Sequence, residues 1–304
     1  MKAALFLLCL VCLGSTVSLK AQQVNDALKR SLEPVYENWR QSMIQKNHPL
    51  WKQHTALNRQ ITIYNRLVSA YKPYPQDIFK VPFAPPALSK LKALNVNMKG
   101  KTAIATYFGK IDFGVGGEPA ENLMVLYFVG ENGRWKYDTS DFINLAALPD
   151  VRKELLTGNY SYVKQKDFIA SGTLPAMPTK IDKRGYIAQV YAFCPGREVK
   201  VDINKGRSPH RFQNDKMAQI VIGGLHHGKN EITLSTKALP GSTGKESLNV
   251  RVFLMSQTEG VKPVNVFEYS VKPEEIKAGK KPVGHKIGVI QITSEHIKAL
   301  KGTR

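Results

Sequence analysis

Leu123-Met124-Val125-Leu126-Tyr127-Phe128-Val129-Gly130-Glu131-Asn132-Gly133-Arg134-Trp135-Lys136-Tyr137 decides the fold class of this chain. Leu123 to Val129 is almost entirely apolar, and Arg134 to Tyr137 returns with alternating polar and aromatic residues. Between them, Asn132-Gly133 supplies the positive φ that a tight hairpin needs, so the stretch predicts two antiparallel strands. Upstream, Thr102 to Phe113 is rich in β-branched and aromatic residues and predicts another strand.

Working outward toward the N-terminus, the pattern becomes helical. Leu28, Leu32, Val35, Trp39 and Met43 recur at helical spacing between charged residues. Pro34 fits best near a helix start, which would place that start around Leu32. A second helix is predicted from about Leu50 to Tyr71, with Leu50, Leu57, Ile61, Tyr64, Val68 and Tyr71 as its apolar stripe and Asn47 near its cap. Five prolines between Lys72 and Pro86 rule out regular helix or central strand and predict an extended surface arm. Leu88 to Leu94 reads as a short helix.

Ser171 to Pro178 lacks charge and periodicity and carries two prolines, the composition of a linker. Beyond it the pattern changes. Gly185–Phe193, Glu198–Ile203, Met217–Ile222, Glu231–Ser235, Ser247–Met255, Val264–Val271 and Lys286–Thr293 are short apolar runs separated by Gly, Pro and Asn. They predict an all-β sandwich with little helix before Ser294.

Met1-Lys2, the apolar run Ala3 to Leu13 and the small or polar stretch Gly14 to Ala21 have the layout of a secretory signal peptide, with cleavage expected after Ala21. The apolar run is shorter than the roughly 20 residues of a membrane anchor, so none is expected after cleavage. Neither Cys9 nor Cys12 follows a small residue, which disfavours lipidation. The expected location is secreted or periplasmic. The predicted organisation is residues 1–21 signal, 22–170 an α+β domain, 171–180 a linker and 181–304 a sandwich.

The formal charge is +20, and loss of Lys2 and Lys20 with the signal leaves +18. Such a charge favours an anionic partner, an envelope component or an acidic glycan, with a protein partner as the other expectation. A basic surface serving only solubility is the alternative. Nucleic acid is also attracted to it, but no specific recognition motif is present. With Cys9 and Cys12 in the signal, only Cys194 remains, so no disulfide framework is expected and Cys194 reads as a buried strand-end thiol.

The helices around Trp39 and Trp51, the strands Ala103 to Gly109 and Leu123 to Phe128, and the hairpin Glu131-Asn132-Gly133-Arg134-Trp135-Lys136 resemble the NTF2-like (SnoaL-like) α+β fold, in which helices pack on a curved antiparallel sheet. The resemblance covers roughly Asp26 to Phe168. The proline-rich arm and the Gly114-Val115-Gly116-Gly117 loop depart from it. Leu225 to Ile232, with Gly228 and Asn230, is similar to a turn of extracellular immunoglobulin-like or jelly-roll sandwiches.

The NTF2-like resemblance implies a pocket between sheet and helices, with Tyr107, Tyr127 and Trp135 as lining candidates. It also implies that an enzyme of this fold would use a pocket Asp, His or Tyr, which singles out Asp112, Tyr107, Tyr127 and Asp138. Asp112 is the best proton-transfer candidate if it is buried, and an ordinary surface residue if it sits on the strand's polar edge. Lys205, Arg207, His210 and Arg211 form a candidate anion-binding loop, or else a solvated one. His226-His227 reads as a turn, with no third ligand, and no metal or cofactor is expected. Gly241-Ser242-Thr243-Gly244-Lys245 is not a phosphate loop, because Leu239 and Glu246 occupy required positions. The leading expectation is a non-catalytic binding or scaffold protein of the envelope. The alternative is a hydrolase or isomerase acting on a small molecule in the N-terminal pocket.

Overall fold

In a computed structural model of the chain, residues 25–112, 119–205, 209–279, 282 and 284–302 are described. The fold is mixed α/β, with three four-stranded antiparallel sheets. The expected signal peptide and the Gly114–Gly117 loop lie outside the described residues.

The N-terminal sheet is a meander of β1 (Lys92–Lys99), β2 (Thr102–Ile111), β3 (Ala120–Glu131) and β4 (Arg134–Ile143), in that order. The hairpin forms as predicted, with Asn132 at φ 49° and Gly133 at φ 74°. The central stretches of β2 and β3, Ala103 to Phe108 and Leu123 to Val129, are mostly apolar because both faces of the sheet are covered. On one face Tyr107, Met124, Leu126 and Phe128 meet Leu28, Leu32 and Tyr36 of α1 (Asp26–Ile44). On the other, Ile104, Phe108, Leu123 and Val125 meet Leu145, Val163, Phe168 and Leu155 of α4 (Pro149–Leu156).

Three N-terminal expectations need correction. Helix α1 begins at Asp26, capped by Asn25, and runs straight through Pro34. Pro34 and Arg30 are both exposed, so the carbonyl that loses its helical partner faces solvent, while the buried stripe holds the helix on the sheet. The single helix expected from Leu50 to Tyr71 is two, α2 (His48–His54) and α3 (Leu57–Ser69). Thr55 and Ala56 are extended there because they pair with β4, Ala56 N donating to Tyr137 O at 2.8 Å. The helix expected from Leu88 to Leu94 is one 3-10 turn followed by β1. Two asparagines within β1 disguise it: Asn95 and Asn97 turn inward to hold the backbone at Val163, Phe168 and Ala170.

Past Phe168 the chain has no helix or strand until β5 (Ala188–Phe193). The C-terminal sheets are β11-β10-β5-β8 and β12-β9-β6-β7. Their strands are β6 (Arg197–Ile203), β7 (His210–Gln213), β8 (Lys216–Ile220), β9 (Gly228–Ala238), β10 (Leu248–Leu254), β11 (Val264–Val271) and β12 (His285–Ile292). Both sheets feed one apolar core, including Val190, Val250, Val199, Leu234 and Ile290, which is a two-sheet sandwich arrangement. The seven predicted strands are present. β7 is an eighth, in the segment read as a basic loop. The short helices α5 (Pro273–Lys277) and α6 (Ser294–Leu300) are added to this β-rich half.

Helix α3 joins the two halves. Asn65 is buried; its amide nitrogen donates to Thr179 O at 2.9 Å, and its oxygen accepts from Ile181 N at 3.0 Å. Ser69, also buried, donates to Asn65 O and accepts from Gly223 N at 2.8 Å. The Arg184 guanidinium lies 3.9 Å from the Tyr71 ring centre. Removing the Asn65 amide strands the buried Ile181 N–H, so Asn65→Ala is predicted to lower unfolding stability by about 1–3 kcal/mol in urea titration. An unchanged midpoint would show that this junction contributes nothing.

Candidate functional site

A cavity of about 280 Å³ opens between α1, α2, α3, the proline-rich arm and β4. Its wall is aromatic. Trp39 of α1 and Tyr137 of β4 lie with ring centres 4.1 Å apart, and Tyr36 packs on both, at 5.5 and 5.6 Å. Buried Trp51 of α2 and Met43 extend the apolar surface. The arm contributes Val81, Pro82, Phe83, Pro85 and Pro86, and β4 contributes Phe142.

The arm is tied at both ends. Ile78 and Phe79 bury against Met43 and Trp51 at one end. At the other, the Tyr36 hydroxyl donates to Pro86 O at 2.9 Å and Arg40 Nε to Pro85 O at 2.7 Å. Val81 and Phe83 remain exposed between these anchors. Burial pushes the Tyr137 hydroxyl up to about 12 and raises that of Tyr36 further, so both rings are neutral near pH 7.

Helix α3 supplies the polar wall. Arg59, Ile63 and Arg66 stand at positions i, i+4 and i+7 of one face and all line the cavity. Neither guanidinium makes an ion pair or hydrogen bond among the described residues. Partial desolvation, then the like charge of Arg59, lowers Arg66 from its ordinary value. Asp138 also lines the cavity, its Oδ1 accepting from Asn58 Nδ2 at 2.9 Å. Thr55 Oγ1 is a buried lining hydroxyl without a hydrogen-bond partner among the described residues.

The sequence-predicted lining residues are elsewhere. Tyr107 is buried in the core against α1, its hydroxyl donating to Glu33 at 3.1 Å. Burial and then Glu33 raise its pKa. Tyr127 packs on the opposite sheet face and donates to Asp141 Oδ2 at 2.9 Å. Trp135 packs against the α1 cluster. All three fill the sheet–helix interface, leaving the cavity at the β4 edge. Asp112 is exposed, one residue past the end of β2, and is not part of the cavity. That removes the burial on which its proton-transfer role rested.

The members of the anion-binding candidate set differ in their surroundings. His210 is buried in β7 with Nδ1 3.1 Å from Gln219 Oε1, while Arg211, the next residue of the strand, points outward. Lys205 is 3.8 Å from Glu231, and Arg207 lies outside the described residues. His226-His227 forms the expected turn: Asn230 accepts from His226 N and donates to His226 O. Among the described residues no cluster of His, Cys, Asp and Glu is arranged to hold a metal. Cys194 is buried at the end of β5, and burial raises its pKa. The Gly241–Lys245 turn closes on Glu246: hydrogen bonds from the carboxylate's own backbone N–H, then from Thr243, hold its pKa at about 2.

Sequence reasoning missed Arg59, Arg66, Trp51 and the arm as one site. The i, i+4, i+7 spacing of Arg59, Ile63 and Arg66 was the available signal. Comparison with protein-family models, curated proteins and solved structures finds no match for this chain.

Burial lowers the pKa of His210. The unfolded chain takes up that proton near pH 6.5 and the folded chain resists it, so stability falls as pH drops below about 6.5 and levels off below the folded value. The stability difference between the parent and His210→Asn is predicted to shrink across this window in urea titrations at stepped pH. A difference independent of pH would contradict a neutral, buried His210.

Proposed function

We propose that this chain is a secreted or periplasmic binding protein of the cell envelope and that its N-terminal half holds the ligand without chemical turnover. In this reading residues 22–170 are an NTF2-like module, residues 171–180 a linker, and the C-terminal half an immunoglobulin-like or jelly-roll accessory module. The single observation that carries the binding reading is the cavity itself. It joins an aromatic wall to two arginines that make no ion pair among the described residues. Apolar lining with a few convergent polar groups is the usual make-up of a ligand site. The formal charge of +20 supports an anionic partner. Among the described residues no helix is long and apolar enough to cross a membrane.

The alternative, a hydrolase or isomerase, transfers from Asp112 to Asp138, the carboxylate that does line the cavity. Asp138→Asn separates the two readings: a binding protein keeps its ligand affinity and has no turnover to lose.

The purified protein is predicted to co-sediment with isolated cell envelopes at low salt and to be released at high salt, because exposed charge contacts are screened. Trp39→Ala is predicted to weaken this retention by removing half of the tilted Trp39–Tyr137 ring pair, with folding checked by circular dichroism. No sedimentation at either salt level would contradict the envelope reading.

A further inference from the structure

The cavity's own chemistry narrows what it accepts. The tilted Trp39–Tyr137 pair, with Trp51 behind it, offers aromatic apolar surface that favours a ring or a rigid hydrocarbon body. A cationic ligand is disfavoured, because Arg59 and Arg66 line the same space and the one nearby carboxylate, Asp138, is already engaged by Asn58. A wholly apolar ligand would cover two guanidinium groups without giving them a partner, which costs free energy.

The two arginines rise about 10 Å apart along α3, with Ile63 between them. Their side chains are close enough for Arg59 to disfavour the charged form of Arg66. An oxyanion beside them relieves that repulsion and takes charge-assisted hydrogen bonds from the guanidinium forks. Arg40 is the contrast on the neighbouring helix. It is bound to Glu37 and Pro85 O, and so serves the arm.

We infer that the cavity is a site for an amphipathic oxyacid, with its flat apolar body against Trp39 and Tyr137 and its carboxylate or phosphate on Arg59 and Arg66. This rests on the binding reading above and adds the ligand class. The buried Thr55 hydroxyl, unpartnered among the described residues, is a further polar contact for a group that reaches the floor. Carboxylate and phosphate share the recognising chemistry, and the test distinguishes them.

The test uses the purified full chain and a matched naphthalene series: 2-naphthoate, 2-naphthyl phosphate, the neutral 2-naphthylmethanol and the cationic 2-naphthylmethylammonium, with acetate and inorganic phosphate as bodiless controls. Binding is read by calorimetry and competition. The expected result is that at least one acid binds about tenfold or more tightly than the alcohol, that the ammonium binds more weakly still, and that the controls do not compete. Whichever acid binds more tightly names the headgroup. Arg59→Gln with Arg66→Gln should abolish the preference for acid over alcohol. The comparison within the parent protein stands even if that variant misfolds. Equal binding of alcohol and acids by the parent would overturn the oxyacid inference and leave the pocket reading intact. Binding of none of the naphthalenes would overturn both.

Discussion

Helix α3 carries the constraint on which the two halves of this molecule depend. Its buried residues include Asn58, Asn65 and Ser69, and each is satisfied by a specific partner. A buried polar group is tolerated only with its hydrogen bonds in place, so this helix has one rotation and one depth at which it can sit. Fixing that rotation for Asn65 and Ser69 also fixes Arg59, Ile63 and Arg66 along the cavity. The break at Thr55–Ala56 sets where the helix starts, through Ala56 N on Tyr137 O and Leu57 N on the Glu131 carboxylate. Junction and cavity are therefore two sides of one rigid element.

The cavity wall follows a similar economy. Tyr137 closes the sheet core, packs at a tilt against Trp39 and sits beside the Thr55 bridge. Its hydroxyl donates to Ser140 at 3.0 Å, which satisfies the polar end of a ring that is otherwise dry. The arm closes the other side with one 3-10 turn at Gln76–Phe79 and no strand, because its prolines cannot donate to a sheet and Tyr36 and Arg40 hold its carbonyls instead.

Much of the scaffold was legible in the sequence because it depends on local rules. Asn132-Gly133 demanded a hairpin, alternation marked most strands of the sandwich, and Asn230 signalled a turn that its side chain closes. The apolar pattern failed where tertiary hydrogen bonds decide. The stripe read on the second helix placed Leu57 inside, yet Leu57 is exposed and the helix buries polar residues. Asn95 and Asn97 concealed β1 in the same way, and Pro34 mimicked a helix start that burial overrode. The site was less legible still. Tyr107, Tyr127 and Trp135 are aromatic residues on strands, and such residues fill a core whenever both sheet faces are covered. The cavity instead assembles from separate segments meeting at the β4 edge, a convergence that spacing along one element does not reveal.

The decisive measurement is a structure of the protein bound to 2-naphthoate. The account predicts the ring against Trp39 and Tyr137, with the carboxylate oxygens about 3 Å from guanidinium nitrogens of Arg59 or Arg66. A ring bound at another surface, or one in the cavity with its carboxylate turned to solvent, would contradict it.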